Sequence, residues 1–235
     1  MDLADRVVLI TGAGGNLGRA VATTFAEQGA RLALLDKHRE HLEKAFGTED
    51  DRRLFAPLDL LDSAQVEAAV DRTAKRFGRI DALANLAGGF RMGTPVHATS
   101  DADWTFMLEL NARTVLNMVR AVVPRMLVSG RGGRIVNVGA FAALKGAAQM
   151  GAYIAAKSAV IRLTESMAAE LREKSINVNC VLPTILDTPE NRASMPNADP
   201  ARWVAPHDLA NVIAFLCSDA ARAVHGAAIP VTGLS

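Results

Sequence analysis

The stretch from Val7 to Gly18, Val-Val-Leu-Ile-Thr-Gly-Ala-Gly-Gly-Asn-Leu-Gly, constrains the fold more than any other part of this chain. Its aliphatic run shows no polar alternation, as in a parallel strand covered on both faces. Glycines follow at once at positions 12, 14 and 15, and a helical pattern opens at Asn16. Glycines let the backbone turn sharply and let an anion approach the main chain. The helix start then offers free N–H groups and a favourable dipole. Gly18 lacks the β-carbon that would keep helix and strand apart. A glycine-rich turn alone can be a plain connection, so the residues downstream decide.

Downstream, the alternation repeats. Short leucine-rich or β-branched runs predict strands at 7–11, 31–36, 53–57, 82–86, 134–138, 177–182 and 228–231. Helical patterns predict helices at 16–28, 63–77, 101–128, 148–174 and 208–217, with a weaker one at 38–46. Asp62 followed by Gln65 has the form of a capping box, and Pro124 is expected to kink or end its helix. The reading is α/β: a single doubly wound Rossmann domain over residues 1–235, with a seven-stranded, mostly parallel sheet flanked by helices. The proline-punctuated segment 183–206 follows a strand and is expected to be a long substrate loop, because open parallel sheets bind ligands beyond their strands' carboxyl ends.

The 26 basic and 25 acidic residues leave a net charge of +1 and no basic face, which points away from nucleic acid and membrane partners. The charged start and the lack of a long apolar run predict a cytoplasmic protein, with Cys180 and Cys217 as buried reduced thiols. No clustered ligand set suggests a metal.

Asp36 ends the second strand, where a carboxylate can accept hydrogen bonds from both ribose hydroxyls of a dinucleotide and repel a 2′-phosphate. It also precedes a helical stretch that it could cap. The ribose role favours NAD(H) over NADP(H), although Lys37 and Arg39 lie close enough to pair with a 2′-phosphate. Tyr153 and Lys157, four apart on one helix face, are candidates for acid–base chemistry, since a nearby cation favours the phenolate. Tyr153 is the only tyrosine.

These features together resemble the short-chain dehydrogenase/reductase family across nearly the whole chain. Thr11, Gly12 and Gly18 match its TGxxxGxG pattern, with Asn16 in place of the middle glycine. The resemblance implies that Gly12, Gly14, Gly15, Asn16, Leu17 and Gly18 hold the dinucleotide's phosphates and that Asp59-Leu60 forms the adenine pocket. It likewise implies that Asn85, Ala87 and Gly88, in a segment similar to NNAG, line the cofactor, and that Pro183, Leu186 and Thr188 hold the carboxamide. Tyr153, Lys157 and Asn111 would be catalytic, with Tyr153 and Lys157 also touching the cofactor and Lys157 bonding the nicotinamide ribose. The homodimer or homotetramer is the implied assembly, and a small molecule is the implied partner.

Thirteen positions before the tyrosine the family carries a serine that polarises the substrate carbonyl, and here Ala140 stands there. Losing such a donor can cost ~10²–10³ in rate. Within the family, dihydropteridine reductases also lack it. The loop containing Leu186-Asp187-Thr188-Pro189, Asn191-Arg192 and Ser194-Met195-Pro196 resembles theirs, with Phe90 placed to flank a flat ring beside Ala140. A quinonoid dihydropterin-like acceptor is therefore the leading expectation. A general carbonyl or alcohol oxidoreductase is the alternative, and a catalytically weak dinucleotide sensor the reading from another class.

Overall fold

The computed structural model describes residues 3–235, so Met1 and Asp2, which open the charged start, lie outside the described residues. Seven strands, β1 (Val7–Thr11), β2 (Arg31–Asp36), β3 (Arg53–Pro57), β4 (Ala82–Asn85), β5 (Gly133–Val138), β6 (Ile176–Pro183) and β7 (Ala228–Val231), form one parallel sheet in the order β3-β2-β1-β4-β5-β6-β7. Alternation within β1 explains its unbroken apolar run. Val7 and Leu9 face one core with Val66, Met118 and Val160, while Val8 and Ile10 face another with Val21, Phe25 and Ile213. Helices α1 (Asn16–Glu27), α2 (Arg39–Phe46) and α8 (Pro206–Cys217) cover the second face. Helices α3 (Ser63–Phe77), α5 (Thr114–Ser129) and α6 (Gly151–Leu171) cover the first.

The expected helix at 101–128 is α4 (Asp101–Leu108) continuing through one π-helical turn, Glu109–Arg113, into α5. A single π turn inside an α-helix often marks a functional position, and Asn111 sits at its middle. Pro124 does not end this helix, which runs on to Ser129. The proline lies on the exposed face, where the carbonyl it leaves unbonded can meet water, and the buried side chains of Val122 and Met126 hold the flanking turns to the core.

Asp62 caps α3, accepting from the backbone N–H groups of Ala64 and Gln65. The reciprocal half of the box is different: Gln65 Oε1 accepts from the Asp59 N–H. The segment at 183–206 is far from structureless. It contains α7 (Pro189–Ser194), capped by Thr188, then a 3₁₀ turn at Pro200–Arg202 and a bridge between Leu186 and Val204. Among the described residues no helix is long and apolar enough to cross a membrane.

The order of strands reverses between β1 and β4, and their carboxyl ends approach very closely. The Thr11 hydroxyl accepts from the N–H groups of Leu86 (2.9 Å) and Ala87 (3.1 Å), tying the two strand ends together. Gly12 has φ +63°, and a β-carbon there would stand 3.2 Å from Ala87 Cα. At Gly18 the space is tighter still: a β-carbon would lie 2.1 Å from the Gly12 carbonyl oxygen and 2.6 Å from Ala13 Cα. Both obstacles are backbone, so α1 would have to move. Gly18→Ala should therefore lower stability by about 3 kcal/mol, the upper end of overpacking costs, and Tm by roughly 6–12 °C. Differential scanning calorimetry checks it, and a Tm within 2 °C of the parent, about 1 kcal/mol or less, would mean that α1 yields at no cost.

Candidate active site

The carboxyl ends of the strands open into a cleft of about 1440 Å³ at the point where strand order reverses. It brings together most of the residues singled out from sequence. Gly12, Gly14, Gly15, Asn16, Leu17 and Gly18 line it from the first turn, Asp36 from β2, and Ala87, Gly88 and Phe90 from the segment after β4. Ala140 lies after β5, Tyr153 and Lys157 on α6, and Pro183, Leu186 and Thr188 after β6. Asp59, Leu60, Asn85 and Asn111 are not part of its lining.

The glycine turn fits a phosphate group. The start of α1, after Gly15, has no side-chain cap on its first N–H groups and no acid in its first turn, which it shares with α6, and it is the helix start that follows the glycine turn into the cleft. Those N–H groups face the cleft, and Gly12 and Gly18 leave no side chain in the way. Asn16 ties the 183–206 segment to this turn: its Nδ2 donates to Glu190 Oε2 of α7 at 2.7 Å. A glycine at that position could not make this bond, a consequence that needs the folded α7 to be seen.

Asp36 presents a side chain only 11 % exposed. Its Oδ2 accepts from the Gly14 N–H (2.9 Å) and its Oδ1 from the His38 N–H (3.3 Å), so it braces the glycine turn as well as the start of α2. The two cations beside it are engaged elsewhere. Lys37 donates to Asp59 (2.8 Å), and Arg39 pairs with Glu43 and Glu49. The Lys37 ammonium holds the Asp59 carboxyl below its ordinary pKa, with help from the Leu61 N–H.

Asn111 and Asn85 act behind the cleft wall. Asn111 is buried in the π turn. Its Oδ1 accepts from Gly89 N–H and its Nδ2 donates to Gly89 O and Met107 O, fixing the segment after β4. Asn85 Nδ2 donates to Asn137 Oδ1 on β5, and Asn137 Nδ2 donates to Thr164 on α6. Thr188 spends its hydroxyl accepting from the Asn191 N–H, and the Leu186 carbonyl accepts from Asn191 Nδ2. Ala140 is buried and offers a methyl group to the cleft.

Lys157 is buried and its Nζ donates to the Val138 carbonyl at 2.8 Å. A β-carbon on Gly88 would lie 3.1 Å from that Nζ and 2.8 Å from Asn111 Oδ1, so lysine, amide and glycine converge on one point. Burial lowers the lysine to about 8, with the Cys180 thiol opposing slightly. Burial pushes Tyr153 up to about 12. This reverses the expectation that the neighbouring cation favours the phenolate. Desolvation is the only cause acting on the phenol, while the ammonium is held by the Val138 carbonyl. Phe90 packs edge-on against the Tyr153 ring, centroids 4.8 Å apart at 88°.

With this geometry in view, likeness to known proteins is informative. Residues 6–199 match the family model described as short chain dehydrogenase. The chain is 36% identical over 244 residues to D-threitol dehydrogenase of Mycolicibacterium smegmatis, covering 98% of this chain and 93% of that protein. It is 35% identical to levodione reductase of Leifsonia aquatica, covering 97% and 93%. The solved structure of carveol dehydrogenase from Mycobacterium avium in complex with NAD superposes with a TM-score of 0.90 at 30% identity, covering 98% of this chain and 97% of that one. On fold, site and kinship alike, this chain belongs to the short-chain dehydrogenase/reductase family of oxidoreductases.

Proposed function

We propose that this chain moves a hydride between NAD(H) and the carbon of a ketone or secondary alcohol, with Tyr153 as the acid–base group. A bound nicotinamide dinucleotide would supply the hydride, and the open α1 start, Gly12, Gly14 and Gly88 would seat it. In the reducing direction the Tyr153 phenol gives its proton to the carbonyl oxygen as the carbon gains hydride. In the oxidising direction it takes that proton back. The observation that carries this reading is the pair itself: Tyr153 in the cleft lining and Lys157 buried one turn beyond, against Gly88.

The relatives' names, a polyol dehydrogenase, a diketone reductase and a carveol dehydrogenase, support alcohol and carbonyl chemistry. The pterin acceptor expected from the loop is not adopted. The loop residues that suggested it are satisfied within the loop: Thr188 caps α7, Asn191 holds Leu186, and Arg192 pairs with Asp187. Two buried unpaired thiols fit a reducing, cytoplasmic setting. A homodimer or homotetramer is the assembly we infer from the family.

Tyr153→Phe should reduce kcat by at least about 10²-fold, the usual contribution of a positioned acid, while NADH affinity changes less than threefold. Steady-state rates with a ketone and fluorescence titration of NADH check this together. Turnover near the parent's would remove Tyr153 from the mechanism.

The two pKa shifts set the pH profile. Reduction needs a protonated phenol and a charged lysine, and both are lost as pH rises. Tyr153 stays protonated to about 12, so the alkaline limb belongs to Lys157 and should fall near pH 8. kcat/KM for NADH, which reports the free enzyme, is the quantity to measure, and a flat profile to pH 10 would contradict this assignment.

NADH should bind at least about tenfold more tightly than NADPH, a difference of ~1.4 kcal/mol, because the Asp36 carboxylate has no free cation from Lys37 or Arg39 to offset it. Asp36→Asn should narrow the gap. Equal affinities in the parent would remove Asp36 as the discriminating group.

A further inference from the structure

The cleft divides sharply by charge. Its charged lining groups, Lys157 apart, cluster at the glycine-turn end. Arg19 donates to the Gly14 carbonyl, His41 faces Asp36, Lys44 follows on α2, and Glu190 accepts from Asn16. The rest of the lining carries Phe90, Met92, Phe141, Met150, Ile185 and Met195, and its polar side chains are already engaged: Thr184 with Thr232 O and Ser235, Thr188 with the Asn191 N–H, and Asn191 with Leu186 O. Among the described residues, Lys157 is the charged side chain of the lining outside the glycine-turn end, and its ammonium is buried against the Val138 carbonyl.

The segment carrying Phe90 and Met92 is held so as to keep charge out. Gly89 is pinned by Asn111, the Gly93 N–H donates to Gln149 O at 3.0 Å, and Val96 packs where a β-carbon on Gly151 would stand. Between these anchors the side chains alternate. Phe90 and Met92 line the cleft, while Arg91 turns to α4, where it pairs with Asp103 (2.8 Å) and lies over the Phe106 ring, 3.9 Å from its centroid. The one cation of this wall is therefore drawn away and doubly engaged. Phe90, Met92 and Phe141 are exposed at the mouth, 54 %, 57 % and 40 % respectively, an apolar surface that only a ligand would cover usefully. Methionines at three positions give this surface shape tolerance without adding polarity.

We infer that the substrate of this enzyme is an uncharged, apolar ketone or secondary alcohol, and that carboxylated, phosphorylated and polyhydroxylated analogues are excluded. The inference rests on the hydride-transfer reading above and adds the class of molecule. An anion entering this half would lose its hydration and meet no cation, and a polyol would leave hydroxyls unpaired against thioether and phenyl groups.

The test compares cyclohexanone, 4-oxocyclohexanecarboxylate and dihydroxyacetone as NADH-dependent substrates. The neutral ring ketone should exceed each of the others in kcat/KM by at least about 100-fold. Phe90→Ala should raise KM for cyclohexanone about tenfold, with NADH affinity unchanged. Met195→Arg, which places a cation at the α7 edge of this wall, should narrow the neutral-to-carboxylate ratio at least about tenfold. Comparable kcat/KM for the carboxylate and cyclohexanone in the parent would overturn the inference and leave the hydride-transfer reading standing. No turnover of any ketone, or of cyclohexanol with NAD, by protein that still binds NADH would overturn that reading itself, and the substrate class with it.

Discussion

Everything functional in this molecule depends on how closely two strand ends meet. β1 and β4 are neighbours whose connections leave in opposite directions, and the gap between them is where a ligand can enter. Thr11 closes the sheet side of that gap by accepting two N–H groups from the chain leaving β4. Gly12 turns away with a positive φ, because a side chain there would press on Ala87. The start of α1 is thereby brought to the cleft with its N–H groups uncapped. A hydroxyl, an αL glycine and a bare helix end are thus one device, in which each part would be useless without the others.

A second constraint is the enclosure of the pair proposed for acid–base chemistry, with Tyr153 half-buried and Lys157 buried. The fold bears the cost of desolvating Lys157, recovered in part by the Val138 carbonyl, and keeps Tyr153 protonated well above neutrality. On the proposed mechanism, that arrangement is preset for donating a proton. The π turn serves the same end. By widening the helix for one turn it carries Asn111 inward, where its amide grips Gly89 on both polar sides and leaves the space at Gly88 free for the lysine.

Much of this was legible in the sequence because it is written in short-range patterns. Continuous aliphatic runs placed all seven strands, and the glycine turn, Asp36 and the Tyr153–Lys157 spacing placed the cleft. What escaped is what depends on partners distant in sequence. Pro124 breaks helices in isolation, yet Val122 and Met126 anchor this one across it. The phenol's pKa was read from its neighbour along α6, whereas burial, a property of the whole cleft, governs it. No local pattern announces that the Asp59 carboxylate pairs with Lys37, twenty-two residues earlier. The loop's polar motif was read as ligand recognition, and the folded α7 shows those groups satisfying one another.

The absent hydroxyl at Ala140 gains meaning when set beside the apolar wall. With a methyl group there, the proposed mechanism relies on Tyr153 to bear the charge that grows on a substrate oxygen. An oxyanion stabilised by fewer donors is more sensitive to the dielectric around it, and in a dry, low-dielectric pocket each remaining hydrogen bond is worth more. Phe90, packed edge-on at 4.8 Å from the Tyr153 ring, and the methionines beyond it supply such surroundings. On the proposed reading, the surfaces that would reject a charged substrate would also strengthen the Tyr153 donor acting on a neutral one, so selectivity and catalysis would draw on one physical cause.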